Sequence, residues 1–187
     1  MAEPVRGIWT VGHSNKTFED FLQLLNSQSI RVLADVRRFP ASRRHPHFNR
    51  EQLAASLARE GIEYIHFPEL GGRRPTRPDS PNNAWRNDAF RGYADYMMTE
   101  PFQRGIERLI ALSASKRTAV MCAEALWWQC HRALIADYLK AAGHQVIHIL
   151  GAAKIQEHPF TSAARISDGK LSYTAGTTAE LPFESAG

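Results

Sequence analysis

Cysteine is scarce in this chain of 187 residues: there are two, Cys122 and Cys130. Two are too few for a disulfide framework, and they are read as reduced thiols. Their spacing excludes a thioredoxin-like pair, which needs only two intervening residues. It also fails the cysteine-phosphatase loop, because the position six after Cys122 holds Trp128 rather than arginine. No apolar run reaches the roughly 18 residues of a membrane helix. The start, Met1-Ala2-Glu3-Pro4-Val5-Arg6, lacks the apolar core of a secretion signal. A soluble, cytoplasmic protein with no membrane partner is expected. Gly12 is followed by His13-Ser14-Asn15, so no dinucleotide-binding glycine pattern follows the first strand, and nicotinamide or flavin chemistry is disfavoured.

Lysine is missing from one long stretch. Between Arg37 and Arg91 there are 11 arginines, no lysine and six acids, a net charge of +5. The remainder holds 12 basic and 13 acidic residues, so the whole excess of +4 arises in that segment. The arginine fork binds phosphate or carboxylate bidentately, which lysine does not. The clusters Arg37-Arg38, Arg43-Arg44 and Arg73-Arg74 point to an anion-binding face, against the plainer alternative of a solvated arginine-rich surface.

At 43% hydrophobic content the chain suffices for one well-buried domain, expected over residues 1–176 with a flexible tail at 177–187. Short apolar strands alternate with helical patterns. Strands are expected at Gly7–Val11, Ile30–Ala34, Glu63–Phe67, Thr118–Met121 and Val146–Leu150. Thr17 with Asp20 caps a helix, and Asn49 with Gln52 opens a second that Gly61 closes. Further helices are expected near Ala89–Met98, after Pro101, and over Cys130–Ala142. Alternation of this kind predicts a Rossmann-like, three-layer α/β sandwich with a mainly parallel sheet of about five strands. Asp168-Gly169 between Ala164–Ser167 and Lys170–Tyr173 predicts a C-terminal β-hairpin. Gly71–Asn83, with three prolines and three arginines, reads as a long mobile loop.

Ligands of an open parallel sheet bind beyond the carboxyl ends of its strands. Those ends carry Gly12-His13-Ser14-Asn15, Asp35-Val36-Arg37, Glu69-Leu70-Gly71-Gly72-Arg73-Arg74 and Cys122-Ala123-Glu124. The chain also contains Thr10-Val11-Gly12-His13-Ser14-Asn15, Ser42-Arg43, Tyr93-Ala94-Asp95-Tyr96-Met97, Met121-Cys122-Ala123-Glu124 and Cys130-His131-Arg132. With these motifs in this order, from residue 10 to about 150 and on to His158-Pro159-Phe160-Thr161, it resembles domain-of-unknown-function family 488, a set of small bacterial and archaeal proteins. The resemblance implies the fold and the location of the site and supplies no reaction.

Several chemistries fit the residues. Cys130 or His131 would start the last long helix, where the dipole favours a thiolate, with His131 or His13 as base and Arg132 adding positive charge. Cys122 and Cys130 are equally explained as small buried hydrophobes. Asp35 and Glu124 could divide acid and base roles, or belong to an ion-pair network. Ser14, Asn15, Arg37, Arg43, Glu69, Arg73, Arg74 and Arg132 are the candidate substrate-binding residues. Zinc or iron would draw on His13, Cys122, Glu124, Cys130 and His131, but only Cys130-His131 forms a short pair, so no metal or cofactor is expected. Of Trp127 and Trp128, one should be core and one partly exposed. The tail segment Ala179–Phe183 faintly resembles sliding-clamp-binding peptides without their leading glutamine.

The expectation is an enzyme, by hydrolysis or group transfer, acting on a phosphate-bearing small molecule such as a nucleotide or on a nucleic-acid component. The alternatives are a non-catalytic nucleic-acid or nucleotide-binding module and a thiol redox sensor.

Overall fold

A computed structural model describes residues 7–176. The N-terminal stretch read for a signal, the 177–187 tail and its clamp-like segment lie outside the described residues. Five parallel strands are present: β1 (Ile8–Gly12), β2 (Val32–Asp35), β3 (Glu63–His66), β4 (Thr118–Cys122) and β5 (Val146–Gly151). A sixth, β6 (Lys154–Glu157), pairs antiparallel with β5 at the edge and was not expected from the sequence. The order is β3-β2-β4-β1-β5-β6. The three central strands, β1, β2 and β4, are fully buried along their length and mostly apolar, as strands covered on both faces must be. The expected hairpin forms as β7 (Arg165–Ser167) and β8 (Lys170–Ser172).

Helices α1 (Phe18–Ser27) and α2 (Arg50–Arg59) cover one face, where Phe21, Leu25, Leu53 and Leu57 pack on Trp9, Val11, Leu33 and Met121. Helices α3 (Asp88–Met97), α4 (Glu100–Ser115) and α5 (Arg132–Ala141) cover the other, with Phe102, Ile106, Leu134 and Ile135 against Ala34, Val36 and Val120. The split follows from handedness. Right-handed crossovers leading from β1 to β2 and β3 fall on one face, and those returning to β4 and β5 fall on the other. The chains leaving β1 and β2 therefore diverge from the chain leaving β4. A crevice opens between them at the carboxyl ends, which is where such sheets bind ligands.

Two local expectations need correction. Thr17 caps α1 as read, its Oγ1 accepting the Asp20 N–H at 3.1 Å. Asn49 precedes α2 but makes no side-chain cap; its Oδ1 instead accepts the Ser42 N–H at 2.6 Å and ties down the arginine-bearing loop after β2. The 71–83 loop is anchored rather than free. Buried Asp95 of α3 accepts from the Arg77 N–H, the Ser80 hydroxyl and the Asn82 amide.

Candidate functional site

Past their last paired residues β1 and β4 stay laced together. The His13 N–H donates to the Cys122 carbonyl at 3.1 Å and the Ser14 N–H to the Ala123 carbonyl at 2.9 Å. Close crossing requires glycine at position 12, since a Cβ there would lie 1.8 Å from the Glu124 carbonyl oxygen. Beside this seam opens a cavity of about 730 Å³. From the candidate residues it gathers His13, Ser14, Asn15, Arg37, Arg73, Cys122, Glu124, Cys130 and His131. Arg38, Phe39, Ser42, Arg44, His45 and Gly72 also line it. The residues drawn together come from four separate loops, as the convergence of strand ends requires.

The thiol wall has the most defined chemistry. His131 Nε2 lies 3.0 Å from the Val36 carbonyl, which can only accept, so Nε2 carries the proton. Burial lowers the His131 pKa, so the ring is neutral and Nδ1 presents its lone pair. The Cys130 Sγ stands 3.3 Å from that Nδ1, in position to donate its S–H. Gly72 makes room for the ring, because a Cβ there would come within 2.7 Å of Nδ1. Burial by itself raises the Cys130 pKa. The neighbouring Cys122, the charge of Arg132 and the Arg132 backbone N–H outweigh it, and the net direction is down. Cys122 behaves oppositely, its thiol pushed well up, chiefly by burial, while its S–H points to the Glu124 carbonyl at 3.6 Å. Both cysteines are free thiols. A thiol hydrogen-bonded to a fixed-tautomer imidazole at a helix start can lose its proton to the ring and become nucleophilic.

On the opposite wall stands a closed ionic frame. Arg37, in the turn after β2, donates from Nε and Nη2 to both Asp35 oxygens, the shortest contact being 2.7 Å. Its Nη2 also reaches the Phe48 carbonyl at 2.8 Å, and Nη1 reaches His13 Nε2 at 3.3 Å. Tyr64 adds its hydroxyl to Asp35 Oδ2 at 2.5 Å, and its pKa is raised by burial and by that carboxylate. His13 Nδ1–H donates to the Ser14 carbonyl at 2.8 Å, and the ring stacks on Phe48. Burial lowers the His13 pKa to about 4, the Arg37 charge acting in the same direction. His13 is therefore neutral, with both nitrogens engaged.

Asp35 is fully buried behind this wall and does not line the cavity. Glu124 is exposed at the rim and joins hydrogen bonds of the described residues only through its backbone carbonyl. Glu69 is turned away, paired with Arg108 at 2.9 Å. Arg74 packs on the Tyr96 ring at 3.7 Å and donates to the Gly71 carbonyl. Arg43 is exposed and outside the lining, where its neighbour Arg44 stands instead. Arg132 is buried and does not line the cavity. The exposed guanidiniums at the mouth are Arg38, Arg44 and Arg73, and none has an ion-pair partner among the described residues. The segment's arginine clusters flagged Arg38 and Arg44, but no local pattern tells which member of a pair faces inward.

Trp127 is core, stacked on His148 at 4.6 Å, while Trp128 is 47% exposed; neither lines the cavity. No group of three or more His, Cys, Asp or Glu side chains is placed to hold a metal among the described residues. No helix among them is long and apolar enough to cross a membrane.

A family model described as "Domain of unknown function DUF488" matches residues 17–139, well over half of the chain. The chain belongs to the DUF488 family. The matched DUF488 span contains the arginine loop, the glycine turn at 71–72 and the whole thiol wall, while His13 and Ser14, the β1 side of the seam, lie just before it. No curated protein and no solved structure matches this DUF488 chain.

Proposed function

We propose that this protein is an enzyme of the hydrolysis or group-transfer class that acts on a phosphate-bearing substrate, such as a nucleotide or nucleic-acid component, with Cys130 as nucleophile and His131 as its base. One observation carries the reading: the Cys130 thiol donates to a neutral imidazole of fixed tautomer inside a cavity whose mouth bears three arginines without ion-pair partners among the described residues. Arg38, Arg44 and Arg73 neutralise the phosphate. The Cys130 proton passes to His131 Nδ1, the sulfur bonds to phosphorus, and the leaving oxygen departs with the proton from His131. Water deprotonated by Glu124 then adds to phosphorus and breaks the S–P bond, returning the thiolate. An acceptor hydroxyl in place of water gives group transfer. Asp35 acts at one remove, holding Arg37 and through it His13.

The exposed Phe39 ring, with Arg38 at 5.4 Å, favours a second reading as a nucleic-acid or nucleotide-binding module, since such a rim can stack a base beside its phosphate. The two free thiols on one wall leave a redox sensor as the third.

A panel of nucleoside phosphates, phosphomonoesters and short oligonucleotides separates these readings. Wild type should turn over at least one compound, Cys130→Ser should lose that activity at least a hundredfold, and a phosphoryl adduct should map to Cys130. Turnover that survives Cys130→Ser but not Glu124→Gln moves the chemistry to the carboxylate. Salt-sensitive binding with no turnover supports the module.

A further inference from the structure

Arg132 is a buried charge without a visible counter-charge. It lies in the first turn of α5 and is 2% exposed. Its Nη2 donates to the Glu124 and Ala125 carbonyls at 3.2 Å each, and its Nε–H meets no acceptor. No carboxylate pairs with it among the described residues. Asp35 is taken by Arg37, and Asp137 by His158, Thr161 and Tyr173. A buried ion left unpaired is costly, so the arrangement calls for a negative group nearby. The group that its charge acts on is the Cys130 thiol, whose pKa it lowers. The Arg132 backbone N–H donates to Cys130 Sγ at 3.5 Å, at the positive end of α5.

We infer that Arg132 is a positioning residue for the thiol, its buried guanidinium supplying the counter-charge when Cys130 becomes a thiolate beneath the cavity. The inference rests on the reading of Cys130 as nucleophile. The groups facing that sulfur are few. Tyr93 of α3 donates its hydroxyl to the Leu70 carbonyl and is kept protonated by burial. Cys122 of β4 is likewise kept protonated by burial, its S–H directed to the Glu124 carbonyl. His131 presents a neutral Nδ1, and Glu124, on the loop after β4, opposes negative charge on the sulfur. Among the described residues, Arg132 is therefore the fixed positive group that acts on it. The ionising proton leaves to His131 Nδ1 or through the cavity to solvent, and in either case the negative charge forms on Cys130, within the influence of the Arg132 charge.

The test is the pH profile of Cys130 alkylation by iodoacetamide in the full chain, located by peptide mass mapping. Wild type should show a midpoint below that of an ordinary thiol. Arg132→Gln keeps a donor for the two carbonyls and removes the charge, and should raise the midpoint by one pH unit or more. Its rate at pH 7 should then fall about tenfold. Arg132→Lys keeps the charge and should restore most of the shift. A midpoint unchanged in folded Arg132→Gln overturns the inference and leaves the nucleophile reading standing. An ordinary, slow thiol in wild type sinks the nucleophile reading itself. Should Arg132→Gln not fold, Arg132→Lys still decides: a midpoint at the ordinary thiol value contradicts a role for the charge.

Discussion

Two polar clusters sit in this sheet, and they differ in how their valences are filled. Under β1, β5 and α5, Thr10, His148, His158 and Asp137 form a closed chain. The Asp137 carboxylate only accepts, so His158 Nε2–H donates to it at 2.9 Å; His148 Nε2–H then donates to His158 Nδ1 at 2.8 Å, and the Thr10 hydroxyl donates to His148 Nδ1 at 2.5 Å. Thr161 and Tyr173 complete Asp137, at 2.5 and 2.9 Å. No donor or acceptor in the chain faces solvent, and none of its members lines the strand-end cavity. That cavity instead leaves charge unmatched: its thiol donates to a wall histidine, a carboxylate stands exposed at the rim, and three guanidiniums have no ion-pair partner among the described residues. Histidine and aspartate in a sheet mark a site only where their valences remain free for a ligand.

The sharpest way to break this contrast is to cut the closed cluster. Asp137→Ala leaves His158, Thr161 and Tyr173 buried and short of an acceptor, and should cost about 3 kcal/mol or more in urea unfolding. The alkylation rate of Cys130 in the folded protein should change less than twofold. A large change in thiol reactivity would join the two clusters into one functional unit.

Acid sharpens the contrast from the other side. The His13 pKa falls from 6.5 in the unfolded chain to about 4 in the folded one. Below pH 6.5 the unfolded state therefore binds the extra proton, and stability is lost as pH falls toward 4. The full span is on the order of 3 kcal/mol. The neutral His148 of the closed cluster, lowered to about 2 by burial, acts in the same direction. His13→Gln should flatten the dependence between pH 6.5 and 4 relative to wild type, measured by urea midpoints at several pH values. An unchanged slope contradicts a neutral, buried His13.

Much of this was legible in the sequence, and the remainder has physical reasons. The five parallel strands, the hairpin and the crowding of polar residues at strand ends follow from alternation and turn chemistry. The short β6 does not, since Lys154-Ile155-Gln156-Glu157 is largely exposed and has no buried face to give it a period. Asp35 and Glu124 both end strands and look alike in sequence. Asp35 is withdrawn by Arg37 and by Tyr64, a partner on β3 that no local motif announces. Cys122 and Cys130 were open between core and chemistry, and their place does not divide the two: each is buried, and each also touches the cavity. Arg43 and Arg44 differ only in which side of the loop they fall on, and Asn49, bonded to Ser42 rather than to its own helix, sets that turn.

The most direct test of an anion pocket built over a reactive thiol uses two alkylating agents that differ in charge. Iodoacetate and iodoacetamide are compared at Cys130 by mass mapping at pH 7, with glutathione as reference. The account predicts that iodoacetate gains several-fold relative to iodoacetamide over its ratio with glutathione, that Arg44→Ala lowers this gain, and that Arg43→Ala leaves it unchanged. Arg44→Ala should move stability by no more than about 0.5 kcal/mol. A charge preference equal to that of glutathione, or faster reaction at Cys122 than at Cys130, would contradict it.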